Sequence, residues 1–219
     1  MRERPILFSA PMVRAILAGQ KAQTRRVMTK QPHDDTTVHV ERFHQTVVDR
    51  HGDEQPGPEV FGAWWDEGET GLKCPYGAPG NRLWVRETHA IVPRTAYRCS
   101  DGVQQVLRPG DDHDAAIFRE GWTRSTSGFS WRPSIHMPRW ASRITLEITD
   151  IRVERLQAIS EADARAEGVR SNADTLADTG FANAREAFRA LWSSINGAES
   201  WDADPFVWVL SFRRLEAAS

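Results

Sequence analysis

Cysteine is nearly absent from this chain. Its 219 residues include two, Cys74 and Cys99, too few for a disulfide framework and in keeping with a reducing, cytoplasmic setting. No apolar run approaches the roughly 20 residues that span a bilayer, and no signal-peptide pattern is present, so no membrane partner is expected. Excess charge is missing as well. The 28 Lys and Arg residues face 30 Asp and Glu, a net charge of −2, so no global basic field favours nonspecific polynucleotide binding. Any nucleic-acid affinity must come from a local patch or from recognition of a single nucleoside. The chain also lacks a Walker loop, a Rossmann glycine pattern, His-Glu-x-x-His and Gly-x-Ser-x-Gly. His33, His39, His44 and His51 have no compact ligand spacing, and Cys74, Cys99, His89 and His113 form no paired motif. Neither metal nor cofactor is therefore expected.

Tryptophan, by contrast, is plentiful: nine residues, some suited to a core and others in polar loops where a ring can stack on a base. The most organised stretch is Ser9–Arg26, SAPMVRAILAGQKAQTRR. Ser9 is an N-cap candidate, Pro11 fits a first helical turn, and Met12, Val13, Ile16 and Leu17 make one apolar face. Gly19 stands where a helix ends at positive φ. Lys21, Thr24, Arg25 and Arg26 follow without any apolar pattern. If a strand starts near Thr24, then Thr24 and Arg26 share a face and Lys21 reaches the same space from the loop. A hydroxyl beside an amine and a guanidinium suits an anionic or carbonyl-bearing ligand, and a solvated basic turn is the plain alternative.

Gly19-x-Lys21-x-x-Thr24-x-Arg26 after a short helix resembles the signature of the ASCH domain, a small β-barrel related to the PUA RNA-binding fold. Many members carry Glu where this chain has Thr24. A branch resembling the N4-acetylcytidine amidohydrolases carries Thr there. Three further segments are similar to the larger ASCH proteins of phages and prophages: CPYGAPGNRLWVRET, the run from Pro133 through ISEADARAEGV, and the Trp-rich C-terminal region. The resemblance implies an α+β fold, a PUA-like barrel with flanking helices, in a single domain over 1–219 with long loop insertions at about 28–80 and 92–135. For the amidohydrolase branch it implies Thr24 as nucleophile, Lys21 as its base and Glu167 as the acid that assists amine departure.

Elsewhere the chain reads as follows. Pro5–Ser9 is a short strand. Arg82–Thr88 alternates, which places at most one of Arg86 and Glu87 inside; Arg86 beside Trp84 is favoured. Between two prolines, Ser134, His136, Arg139 and Trp140 gather polar and aromatic groups, as in a binding loop or a clamp over a buried Trp140. Arg143–Leu156 is a strand whose alternation shifts near Thr149-Asp150, as a bulge would make it. Ser160 caps a helix that stops near Gly168 and leaves Glu167 at its C-terminus, where the dipole disfavours a carboxylate unless something else holds it. Ala184–Ile195 is an amphipathic helix stopped by Asn196-Gly197, and Phe206–Leu215 is a strand buried on both faces.

Function stays open among classes. One is a metal-independent amidohydrolase acting on an acylated nucleoside. Its Lys21 must lose a proton near neutral pH, and burial with Arg25 and Arg26 nearby acts in that direction. Arg26 or a backbone N–H would hold the oxyanion, and Trp84, Arg86, Ser134, His136 and Trp140 would contact the substrate. The second is a binding module for RNA or a modified base, using the same residues without chemistry. A phage assembly role resting on the insertions is the third. Ribonuclease activity ranks below these, since no His pair is evident.

Overall fold

The computed structural model describes residues 3–33, 36–68, 70–97, 102–124, 128–175 and 179–216. It is mixed α+β and mostly sheet. In chain order the elements are β1 (Glu3–Leu7), α1 (Ala10–Leu17), β2 (Gln23–Val27), β3 (His39–Val48), β4 (Glu54–Trp65), β5 (Thr70–Lys73), β6 (Arg82–Arg86), β7 (His89–Pro93), β8 (Gln105–Leu107) and β9 (Asp114–Phe118). Then come β10 (Thr145–Arg155), α2 (Glu161–Ala166), α3 (Ala184–Asn196) and β11 (Phe206–Leu215). Among the described residues no ladder of strands closes on itself, so the barrel implied by resemblance is not seen as a closed one. No described helix is long and apolar enough to cross a membrane.

The chain divides into two compact units. The first comprises Met1–Gln20, Arg82–Glu147 and Arg213–Ser219; the second comprises Lys21–Asn81 and Ile148–Phe212. Strands β10 and β11 each pass from one unit into the other.

In the first unit β1 pairs with β6 in parallel, and the opening residues of β10 pair antiparallel with β6. Helix α1 forms where the sequence expects it. Val13 and Ile16 are buried and Gly19 takes φ +70° just past its end, although Ser9 makes no side-chain cap bond. A separate sheet of order β7-β9-β8 occupies part of the region read as a second loop insertion. Its core of Ala90, Val92 and Ile117 is covered by Tyr97, Val103, Trp122, Phe129 and Trp131.

His89, at the start of β7, is fully buried. Its Nδ1 lies 3.3 Å from the Glu87 carbonyl, which can only accept, so the proton sits on Nδ1. The buried Nε2 has no partner among the described residues. Burial pushes the imidazole pKa down, the Glu87 carbonyl opposes this, and nearby Arg132 and His136 add to the depression. An unfolded chain takes up that proton near pH 6.5, where the folded one resists it. Stability should therefore be complete above pH 6.5 and decline below it, levelling once the folded pKa is passed. Urea midpoints between pH 8 and pH 5 should fall for wild type and fall less for His89→Asn; a flat wild-type profile would refute this.

In the second unit β11 lies between β10 and β2, antiparallel to β2 with Leu210 opposite Thr24 and Trp208 opposite Arg26. Helices α2 and α3 pack on it through Leu156, Phe188, Trp192, Trp201, Val207 and Val209. Both helices are capped as their sequences imply. Ser160 Oγ accepts from the Asp163 N–H at 3.1 Å, and Asn183 Oδ1 accepts from the Glu186 N–H at 2.9 Å. Glu161 reaches across to accept from the N–H groups of Ala184 and Arg185 at 3.0 and 3.1 Å, which joins the two helices. Gly168 ends α2 at φ +89°.

The first expected insertion is not a loop. It contains the antiparallel sheet β3-β4-β5, with Phe43 opposite Val60 and Ala63 opposite Leu72. Strand β3 has no buried residue. Cross-strand pairing rather than burial specifies it, so its sequence carries little apolar alternation.

Candidate functional site

Lys21, Gln23 and Arg25 leave the chain at alternate positions around the start of β2. All three are buried, at 3%, 5% and 4% exposure. The ammonium of Lys21 donates to Glu167 Oε2 at 2.7 Å and to the Glu167 carbonyl at 2.8 Å. Arg25 Nη1 donates to the other carboxylate oxygen, Oε1, at 3.2 Å and to Gln23 Oε1 at 2.7 Å. The opposite edge of Arg25 grips Glu154, with Nε at 3.1 Å, and Asp163 lies 3.5 Å away. Arg152 then bridges Glu154 and Asp163 at 3.1 and 3.0 Å. Lys21, Arg25 and Arg152 thus meet Glu154, Asp163 and Glu167, and the formal charges cancel.

This network explains a carboxylate that its helix disfavours. Glu167 is the C-cap of α2, where the macrodipole repels negative charge. Two buried cations hold it there. The Ala22 N–H also donates to the Ala166 carbonyl at 2.8 Å, which satisfies one free helix-end acceptor and fixes the entry to β2. Burial pushes the Lys21 pKa down; Glu167 opposes the shift, and Arg26 and Arg25 add to it. Removing an ammonium from water disfavours its charged form, whereas a hydrogen-bonded carboxylate favours it.

Thr24 and Arg26 fall between these positions, so they leave the opposite face of β2 from Gln23 and Arg25. Thr24 is buried at 2% exposure, and Arg26 is half-buried. Lys21 therefore turns toward Glu167, and Arg25 rather than Arg26 shares that carboxylate. The field of Arg26 still reaches Lys21 and also Tyr76, whose phenol pKa is raised by burial and drawn back by Arg26.

The remaining expected residues belong to the first unit. Trp84 is buried, and the Arg86 guanidinium sits 4.8 Å from its ring centre. Of the pair Arg86 and Glu87, the inward member is Glu87, contrary to the sequence reading. It is 3% exposed and accepts both Arg143 Nε and Nη2, at 2.9 and 2.8 Å. A carboxylate bound bidentately to a guanidinium goes inside more readily than a cation without such a partner. Ser134 opens a short 3-10 turn, Ser134–His136, and lines a cavity of about 120 Å3 with Ser9, Glu87 and Thr88. His136 is exposed. Trp140 is half-buried against the core of Ala116, Phe118, Met137 and Ala141, with Arg108 5.9 Å from its ring. The cysteine and histidine set considered for metal extends to Cys99, which lies outside the described residues; Cys74 is fully buried.

No protein-family model, curated protein or solved structure matches the chain. The site's chemistry therefore rests on its own geometry. That geometry adds Gln23, Glu154 and Asp163, which the sequence reading did not single out. A two-residue period of polar groups links Gln23 to Arg25 on β2 and Arg152 to Glu154 on β10; Asp163, in the first turn of α2, left no such signal.

Proposed function

We propose that the second unit is a metal-independent amidohydrolase acting on N4-acetylcytidine or a related acylated nucleoside, with Thr24 as nucleophile, Lys21 as base and Glu167 as acid. The observation that carries this reading is the buried 2.7 Å hydrogen bond between Lys21 and Glu167. Moving one proton along that bond turns an ion pair into an amine and a carboxylic acid, the two forms the reaction needs. Burial favours the neutral form of Lys21.

Thr24 Oγ adds to the acetyl carbonyl while its proton reaches the Lys21 amine by relay through a water molecule, since the Thr24 side chain leaves the opposite face of β2 from Gln23 and Arg25. Arg26, on the same strand face as Thr24, balances the oxyanion. The C–N bond then breaks, and Glu167 protonates the departing amine, which leaves as cytidine. Water attacks the acetyl-Thr24 ester and gives a proton to the Glu167 carboxylate. The Lys21 ammonium reprotonates Thr24, acetic acid leaves, and all three groups return to their starting forms.

A second reading is a binding module for RNA or a modified base. It is favoured by one feature: both Glu167 oxygens are already engaged, by Lys21 and Arg25, as in a purely structural clamp. Chromatography of N4-acetylcytidine incubated with wild type, Lys21→Ala and Thr24→Val separates the two. Cytidine and acetate from wild type alone support the hydrolase, provided Thr24→Val unfolds with the wild-type midpoint. No turnover by wild type leaves the binding module.

A further inference from the structure

The first unit holds a cavity of about 320 Å3 whose walls include Gln104, Phe118, Glu120, Trp122 and Arg143. Its volume suits a nucleoside-sized ligand. Trp122 is held rigidly, in edge-to-face contact with Tyr97, Phe129 and Trp131 at 5.1, 5.4 and 5.6 Å. A ring fixed in advance loses little freedom on binding.

The polar wall is equally fixed. The Arg143 side chain is 7% exposed, and its guanidinium lies 4.1 Å from the Phe118 ring centre. Nε and Nη2 grip Glu87, Nη2 also donates to the Glu120 carbonyl at 3.2 Å, and Nη1 donates to Gln104 Oε1 at 2.6 Å. A guanidinium has five N–H donors. These bonds use four of them, and the second N–H on Nη1 has no partner among the described residues. Because a guanidinium cannot accept, the Gln104 oxygen must face it and the amide NH2 must turn away. That NH2 also has no protein partner among the described residues. Two donor groups locked together therefore stand at one wall of the cavity. Glu87 already balances the Arg143 charge, and the Glu120 carboxylate is engaged by Arg14 at 2.8 Å. Arg124 also lines the cavity, so an anion is a real competitor, and the paired donors of Arg143 and Gln104 are what select a ligand with two adjacent acceptors.

We infer that this cavity binds a nucleobase through an edge bearing two adjacent acceptors, as guanine presents with O6 and N7. Adenine offers one acceptor beside an amino donor, which would meet the Arg143 and Gln104 donors head-on. The site lies apart in sequence from Lys21, Thr24 and Glu167 and does not depend on their chemistry.

Titration calorimetry of the full chain with guanosine, adenosine and inorganic phosphate tests this. Guanosine should bind, and adenosine should bind at least about tenfold more weakly, the scale of one mispaired base edge. Gln104→Leu, an exposed change that leaves the Glu87–Arg143 pair intact, should weaken guanosine about tenfold or more. Lys21→Ala should bind guanosine as wild type does, which keeps this result separate from the fate of the amidohydrolase reading. Failure to bind guanosine, equal affinity for adenosine, phosphate binding as tight as guanosine, or indifference to Gln104→Leu would each overturn the inference. Competition by a G-containing single-stranded RNA would assign the base to a strand, and lack of competition to the free nucleoside.

Discussion

Glu167→Ala is expected to lower the unfolding free energy by about 3–5 kcal/mol, the usual cost of leaving buried charge uncompensated. The change removes the carboxylate that accepts from the Lys21 ammonium at 2.7 Å and one of the partners of Arg25. Both cations have fully buried side chains, so water cannot take the place of the lost oxygens without opening the unit. The double variant Lys21→Met/Glu167→Leu should cost less than the single one, because it removes the pair together and leaves Arg25 with Gln23 and Glu154. Urea unfolding of the three proteins reads both numbers. A loss under about 1 kcal/mol for Glu167→Ala would mean that the pair is solvated in solution, as surface ion pairs are. It would also take away the desolvation on which the base role of Lys21 relies.

A comparable loss, about 3–5 kcal/mol, is expected in the first unit for Glu87→Ala. Arg143 would then keep only Gln104 and the Glu120 carbonyl as partners, with its charge still buried over Phe118. Glu87→Gln should fall between wild type and Glu87→Ala, since an amide oxygen still accepts one guanidinium N–H but supplies no charge. Equal unfolding midpoints for Glu87→Ala and wild type would show that Arg143 finds other compensation. Together with Glu167→Ala, this variant also asks whether the two units unfold together. One transition sensitive to both changes means a single cooperative block; two transitions, each moved by its own variant, mean separate ones.

Helices α1, α2 and α3 and strand β11 could be read from the chain because each carries a local pattern: a cap, a period and a stop. The shift of alternation in β10 is likewise present, with Thr149 and Asp150 both exposed between buried Ile148 and Ile151. What stayed hidden depends on partners far away in sequence. Arg25 meets Glu154 across 129 positions and Glu167 across 142, and nothing near Arg25 announces either. Resemblance points to Lys21 and Glu167 separately, yet their direct contact, and the place of Arg25 rather than Arg26 beside it, follow only from folding. The β3-β4-β5 sheet reads as loop in the sequence because an exposed strand needs no apolar alternation. Glu87 carries no local sign of burial, because the partner that closes on it, Arg143, lies 56 positions on.

The pairing of β2 with β11 has a temporal consequence. Gln23 and Ser211, which meet across that ladder, are 188 positions apart, and β2 has no other strand neighbour among the described residues. During synthesis, the segment carrying Lys21, Thr24 and Arg25 must wait for the long stretch between it and β11 before its ladder can form. A contact of such long range forms slowly, and until then an unpaired strand edge and two future interior cations, Lys21 and Arg25, stand in water, open to chaperones and proteases. The cluster around Lys21 and Arg25 is thus held on a paired strand only once β11 has docked.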